Sequence, residues 1–175
     1  MAKKTIQLTD YIRDVPDFPK PGILFRDITP LLADKDAFAA AVDALAHPFV
    51  GFDADYVAAV EARGLIFGSA VAKAMRAGFI PIRKKGKLPY KTESVTYDLE
   101  YGTDTLEVHR DAIRPASKVL MVDDLLATGG TMAAACKLMA KLDAEIVGIS
   151  FLIELTELAG REKLSGHSIH TVISY

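Results

Sequence analysis

The stretch Val119-Leu120-Met121-Val122-Asp123-Asp124-Leu125-Leu126-Ala127-Thr128-Gly129-Gly130-Thr131 constrains this chain more than any other. An apolar run of strand length, Lys118 to Val122, leads into two adjacent carboxylates, then a turn over Asp123 to Gly130, then a helix over Thr131 to Leu142. A strand that is apolar throughout belongs inside a sheet covered on both faces, and a polar run at its end belongs at the sheet's carboxyl edge. In open α/β sheets ligands bind at that edge. A Gly-Thr-rich turn that opens a helix offers unpaired backbone N–H groups to an anion, and Gly129 and Gly130 let the backbone approach it closely.

The rest of the chain alternates in the same way. Asp34 to His47 begins on an acidic capping residue, places Phe38, Ala41, Val42 and Leu45 on helical spacing and closes at Pro48. Asp55 to Val60 reads as a buried strand, Gly64 to Arg76 as a helix and Phe79 to Ile82 as a second strand, which together make one βαβ unit. Residues 84–93 are polar and basic and contain Gly86 and Pro89, the pattern of a mobile loop, ahead of a strand pair at Ser94–Tyr101 and Thr105–His109. A strand over Glu145 to Leu155, a helix over Leu158 to Leu164 and a strand over Ile169 to Ile173 complete the pattern. The expectation is one α/β domain over residues 1–175, with a central, mostly parallel sheet flanked by helices. An N-terminal segment of different character covers about residues 1–33, and a flexible loop and hairpin cover about residues 84–101.

With 21 basic and 23 acidic side chains the formal net charge is -2, so the chain as a whole carries no electrostatic footprint for nucleic acid, and any phosphate-binding surface must be local. The single cysteine, Cys136, excludes an intrachain disulfide, suits a reducing compartment and reads as a small core residue. The start Met1-Ala2-Lys3-Lys4-Thr5 is basic but is not followed by a signal-peptide core, and no apolar run is long enough to span a bilayer as a helix. A cytoplasmic protein with no membrane or nucleic-acid partner is expected. His167 and His170 stand three apart without a carboxylate or cysteine cluster nearby, a poor basis for a zinc site.

Two carboxylates beside an anion cradle repel a polyanion unless something lies between. A ribose with hydroxyls for Asp123 and Asp124, a terminal phosphate for Ala127 to Thr131 and a metal ion would satisfy every group, and these are the parts of phosphoribosyl pyrophosphate. The competing phosphate motifs are missing: there is no Gly-x-Gly pair for a dinucleotide fingerprint and no Gly-Lys-Ser/Thr run for a P-loop. A plain Gly-Thr turn capping a helix would explain Thr128 to Thr131 but not the paired aspartates.

This stretch resembles the phosphoribosyl pyrophosphate signature of the type I phosphoribosyltransferases, in the form found in their adenine-specific branch. The resemblance continues through Asp17-Phe18-Pro19-Lys20-Pro21-Gly22-Ile23, Phe25-Arg26-Asp27-Ile28, Glu61-Ala62-Arg63-Gly64, Arg83-Lys84-Lys85-Gly86-Lys87-Leu88-Pro89 and Leu99-Glu100-Tyr101-Gly102. It implies the type I fold with an N-terminal hood. It also implies purine salvage, in which adenine and phosphoribosyl pyrophosphate give AMP and pyrophosphate, with Mg2+ held through the substrate near Asp123 and Asp124, in a homodimer.

Each remaining block has a plainer reading by its residues alone. Glu61 to Gly64 is equally an ordinary βα turn with an exposed arginine; the resemblance makes it the pyrophosphate loop, with Arg63 gripping the leaving group. Arg83, Lys84, Lys85 and Lys87 are by pattern a solvated loop; the resemblance brings Arg83, Lys84 and Lys87 to pyrophosphate, in some relatives across a dimer. Phe25 reads as a core anchor; the resemblance stacks it on the purine, with backbone groups around Leu24 and Arg26 reading the base edge. Glu100 reads as an exposed hairpin residue, and the resemblance places it at the imidazole side of adenine with a catalytic part. The alternatives left open are a related enzyme for hypoxanthine, guanine or xanthine, and a regulator that senses phosphoribosyl pyrophosphate without catalysis.

Overall fold

The computed structural model describes residues 6–98 and 102–175. After a 3-10 turn at Leu8–Tyr11 come strands β1 (Arg13–Pro16) and β2 (Leu24–Asp27), which pair with each other as a separate antiparallel sheet, and helices α1 (Thr29–Ala33) and α2 (Lys35–Ala46). The body follows as β3 (Tyr56–Val60), α3 (Gly64–Met75), β4 (Gly78–Lys84), β5 (Thr92–Asp98), β6 (Thr103–His109), β7 (Lys118–Leu126), α4 (Gly130–Lys141), β8 (Glu145–Glu154) and β9 (Ile169–Ser174). Its seven strands lie in the order β5-β6-β4-β3-β7-β8-β9. β3, β4, β7, β8 and β9 run parallel, while β6 is antiparallel to both β4 and β5. The α/β class and the mostly parallel sheet expected from the sequence are both present.

Strand alternation explains why helices cover both faces. Ala58, Val119, Met121 and Ile149 pack with Met132, Ala135, Leu138 and Met139 of α4. Their neighbours Val57, Leu120, Val122 and Leu152 turn to the opposite face and pack with Ala37, Ala41 and Leu45 of α2 and with Phe67 and Val71 of α3. With both faces sealed by helices, polar groups at the ends of the parallel strands can meet a ligand only at the sheet's edge. α2 starts where the sequence suggests, because the Asp34 carboxylate accepts the N–H groups of Asp36 and Ala37 at 3.0 and 2.9 Å.

Three boundaries differ from expectation. β7 does not stop at Val122: Asp123, Leu125 and Leu126 stay in register with Phe151, Ile153 and Glu154 of β8, so the turn is confined to Ala127–Gly129. The long apolar β8 supplies ladder partners that no local pattern in β7 reveals. The helix expected over Leu158–Leu164 is two 3-10 turns, Thr156–Leu158 and Gly160–Leu164, split at Ala159, whose φ of 50° is left-handed. In the expected loop, Lys84 is still in β4, and the chain re-enters the sheet at Thr92. The hairpin tip Leu99–Tyr101, with Glu100, lies outside the described residues.

One buried polar contact ties the helical layer to the sheet. The hydroxyl of Ser150, with no accessible surface, donates to the carbonyl of Leu45 at 2.9 Å, in the last turn of α2 where carbonyls lack helical partners. Ser150→Ala leaves that carbonyl buried and unsatisfied, so urea denaturation is expected to show a loss of about 1–3 kcal/mol. A midpoint equal to the wild type's would contradict this role.

Candidate active site

The end of β7, the turn after it and the start of α3 enclose a cavity of about 290 Å3. Its walls include Arg63, Asp123, Asp124 and the whole run from Ala127 to Thr131. Gly129 has φ of 76° and stands at the N-cap of α4, where no side chain of the described residues supplies a cap. The first N–H groups of α4 are therefore left for a ligand or for water. Tyr97 of β5 brings its hydroxyl to 3.4 Å from the Thr131 hydroxyl, so the hairpin reaches the first turn of α4.

The two aspartates are held by the backbone and by one arginine. The N–H of Asp124 donates to Asp123 Oδ1 at 2.9 Å, and Arg63 Nε stands 2.9 Å from Asp124 Oδ2. Burial, followed by the neighbouring charge of Asp124, pushes the carboxyl of Asp123 well above the usual carboxylate range. Burial also pushes Asp124 up, with the Arg63 guanidinium pulling the other way. Adjacent carboxyls in such a place favour a cation or hydroxyl donors as neighbours.

Arg63 also connects this edge to the N-terminal sheet. Its guanidinium lies over the Phe25 ring at 5.1 Å from the centroid, and Phe18 meets the same ring edge-on at 5.1 Å. Phe25, Arg63 and Asp124 thus form a continuous chain from β2 to the end of β7. Leu24 is exposed beside Phe25. Arg26 pairs with Asp14 and lies over the Tyr175 ring at 3.8 Å, so its side chain is committed to holding β2 in place.

The basic cluster after β4 is also engaged. Arg83 Nε donates to Glu61 Oε2 at 3.0 Å, the Lys84 N–H donates to the same carboxylate, and Lys84 Nζ pairs with Asp104 at 3.1 Å. Burial alone would raise the Glu61 carboxyl, but the Lys84 N–H and the Arg83 guanidinium outweigh it and hold the group below its ordinary value, with Lys87 adding to the effect. The peptide between Glu61 and Ala62, in the turn ahead of α3, is cis. The cluster therefore flanks the Glu61–Arg63 turn, with Arg83 and Lys84 already paired to carboxylates.

Two contributors escaped the sequence reading. Gly160 packs its backbone directly on the turn: a Cβ on Gly129 would lie 2.3 Å from the Gly160 carbonyl oxygen, and a Cβ on Gly160 would lie 2.2 Å from that of Ala127. Lys163, in the same short segment, holds Nζ 3.9 Å from where a Cβ on Gly130 would stand. Neither residue sits in a motif, and only the return of the chain after β8 brings them here.

The family model described as a phosphoribosyl transferase domain matches residues 32–172. The chain is 55% identical over 168 residues to an adenine phosphoribosyltransferase of Halothermothrix orenii, covering 96% of this chain and 99% of that one. Among solved structures it is similar to the adenine phosphoribosyltransferase of Thermoanaerobacter pseudethanolicus, with a TM-score of 0.93 and 49% identity over 96% of this chain and 98% of that chain. It is also similar to the Saccharomyces cerevisiae enzyme, solved in complex with an imino-altritol bisphosphate and adenine, with a TM-score of 0.90 and 39% identity over 94% and 96% of the two chains. With its fold and its strand-end cavity, the chain belongs to the phosphoribosyltransferase family. Within that family its curated relatives are adenine phosphoribosyltransferases.

The Arg63–Asp124 pair generates a prediction that needs no ligand. Among the influences on the Asp124 carboxyl, Arg63 is the strongest of those that lower it. In Arg63→Met the opposing burial is left unbalanced, so the carboxyl should hold its proton to higher pH than in the wild type. Carbon-13 NMR titration of the aspartate side chains reads this directly; an unchanged or lowered Asp124 titration would contradict the assigned pairing.

Proposed function

We propose that this chain transfers the 5-phosphoribosyl group from phosphoribosyl pyrophosphate to adenine, giving AMP and pyrophosphate in purine salvage. One observation carries this reading. Two adjacent carboxylates, Asp124 buried and Asp123 half-buried, and an uncapped helix N-terminus share one cavity, and the same arginine that pairs with a carboxylate also lies over an aromatic ring at the far side. A helix N-terminus suits a phosphate, carboxylates suit ribose hydroxyls, and the ring suits a purine face.

In this reading Ala127, Thr128, Gly129, Gly130 and Thr131 bind the sugar's terminal phosphate through backbone N–H groups, with the Thr128 and Thr131 hydroxyls as added donors. Asp123 and Asp124 face the ribose hydroxyls and stabilise positive charge that develops on the sugar. Adenine N9 bonds to the anomeric carbon as the bond to pyrophosphate oxygen breaks; the electron pair of that bond leaves with pyrophosphate, and the N9 proton passes to pyrophosphate or to water. Arg63, Arg83, Lys84 and Lys87 neutralise the departing pyrophosphate, which requires Arg83 and Lys84 to share or exchange their present carboxylate partners. Phe25 stacks on adenine, while backbone groups around Leu24 and Arg26 read its edge. Glu100 is proposed to act at the imidazole side of the base, from a position outside the described residues.

Mg2+ is proposed as the cofactor. Among the described residues no cluster of three or more His, Cys, Asp or Glu is present, so this chain offers two carboxylates rather than a complete cage. That donor set fits Mg2+, a hard cation that takes one or two carboxylates together with substrate oxygens and water. When bound it would neutralise charge on the pyrophosphate and so make it a better leaving group. A homodimer, in which the basic segment approaches the partner's site, is proposed on resemblance. A single-domain, cytoplasmic protein is proposed as well. Burial pushes the lone Cys136 thiol up to about 11, the character of a core residue, and no helix of the described residues is long and apolar enough to cross a membrane.

The choice of base is the sharpest test. Adenine presents an amino donor at position 6 and an acceptor at N1, and 6-oxo purines invert both, so fixed backbone groups matched to one are mismatched to the other. Two buried mismatches at about 1–3 kcal/mol each imply roughly a thirtyfold or greater preference. Steady-state assays with Mg2+, phosphoribosyl pyrophosphate and, in parallel, adenine, hypoxanthine, guanine and xanthine should show that preference in kcat/KM. Comparable values for adenine and hypoxanthine would overturn the adenine assignment, and no turnover with any base would favour the sensing alternative.

A further inference from the structure

The turn proposed to bind phosphate is not rigid by its own contacts. It has a left-handed glycine at the helix cap and no side chain of the described residues capping it. What fills the space behind it is the backbone of Gly160, against both Ala127 and Gly129 at distances that leave no room for a methyl group on either glycine. Gly160 follows a left-handed Ala159 and begins a 3-10 turn whose far end, Leu164, is buried in the core, but at the Gly160 end polar contacts are needed to fix the backbone. The anchor is the next residue. Arg161 reaches back to Glu154 at the end of β8 with two contacts, Nε to Oε1 and Nη2 to Oε2, both 2.7 Å. It also donates to the Thr171 hydroxyl at 3.0 Å and, more weakly, to the Ile169 carbonyl at 3.4 Å, both on β9.

Glu154 is itself fixed. It is 5% exposed and sits in the sheet opposite Leu126, the last residue of β7 before the turn, and opposite Ser174 of β9. The contacts close a ring that runs from Leu126 through Glu154, Arg161 and Gly160 back to Ala127 and Gly129. A two-point guanidinium–carboxylate pair fixes orientation as well as distance, which a lysine in the same place would not.

We propose that the Arg161–Glu154 pair is a positioning device for phosphoribosyl pyrophosphate binding, holding Gly160 as the backstop that sets the shape of the Ala127–Gly129 turn. This rests on the proposed reading of that turn as the phosphate site. Neither residue lines the cavity, so neither is a ligand; their effect passes through the Gly160 backbone. Adenine is bound at the other side, against Phe25, and should be indifferent to the pair.

The test compares Arg161→Met, Arg161→Lys and Glu154→Gln with Ile113→Ala, a buried-residue control in the core away from the turn. Melting temperatures, calorimetric affinity for phosphoribosyl pyrophosphate and KM for each substrate are measured on the full chain. The expected result is a rise of roughly tenfold or more in Kd and KM for phosphoribosyl pyrophosphate in Arg161→Met, with KM for adenine within about twofold of wild type. Arg161→Lys and Glu154→Gln, which keep the charge or the shape, should fall between, and they carry the comparison if Arg161→Met does not fold. The control should lose melting temperature without this split. Variants that lose melting temperature but bind phosphoribosyl pyrophosphate as the wild type does, or that raise both KM values alike, overturn the inference and leave the proposed function standing. A wild-type protein that does not bind phosphoribosyl pyrophosphate removes both.

Discussion

Two adjacent carboxylates at the end of a strand buried on both faces are the constraint around which this molecule is arranged. Removing a charged carboxyl from water is costly, and removing two neighbours is costlier, because each opposes ionisation of the other. Among the described residues one cation, Arg63, is in ion-pair contact with the pair, at Asp124. Asp123 receives the N–H of its neighbour and otherwise faces the cavity. A fold that keeps such a pair has a use for it, and positive charge on a reacting sugar, with a divalent cation beside it, is what these carboxyls could stabilise.

Much of the surrounding architecture can be understood from that edge outward. The alternation of Val119, Leu120, Met121 and Val122 between two cores fixes β7 in the middle of the sheet, so its end is the one place where polar groups can open to a ligand. α3 begins at the same edge and presents Arg63; α4 begins there and presents unpaired N–H groups. The small β1–β2 sheet closes the side by bringing Phe25 against Arg63, and Arg26 anchors that sheet to Tyr175 near the end of the main sheet. Each functional group thus comes from a different element, and packing rather than sequence proximity assembles them.

The sequence made β3, β4, β7, β8 and β9 legible as apolar, β-rich runs and β5 and β6 as a strand pair after a polar loop, and it made the Asp123–Thr131 stretch legible because two carboxylates and a Gly-Thr run follow directly on a buried strand. What it hid depended on partners far along the chain. The extension of β7 to Leu126 needs β8 beside it, and Asp123 to Gly130 alone look like a turn. The pairing of Arg83 with Glu61 and of Lys84 with Asp104 turns a run that looks like solvated charge into a braced segment. Strands β1 and β2, four residues each, are too short to show a period. Gly160 is the clearest case: its part is played by backbone alone, 31 positions from Gly129, and leaves no mark in a pattern of side chains.

In the proposed complex the phosphate sits at the Ala127–Gly129 turn and the start of α4, the ribose at Asp123 and Asp124, and the purine at Phe25. A crystal structure of the chain soaked with AMP tests it most directly. The expected result is phosphate oxygens about 2.7–3.2 Å from backbone nitrogens at the start of α4, ribose hydroxyls on the two aspartates, and the adenine ring displacing or joining Arg63 over Phe25. AMP bound with its phosphate elsewhere, or with its base away from the β1–β2 sheet, would contradict it.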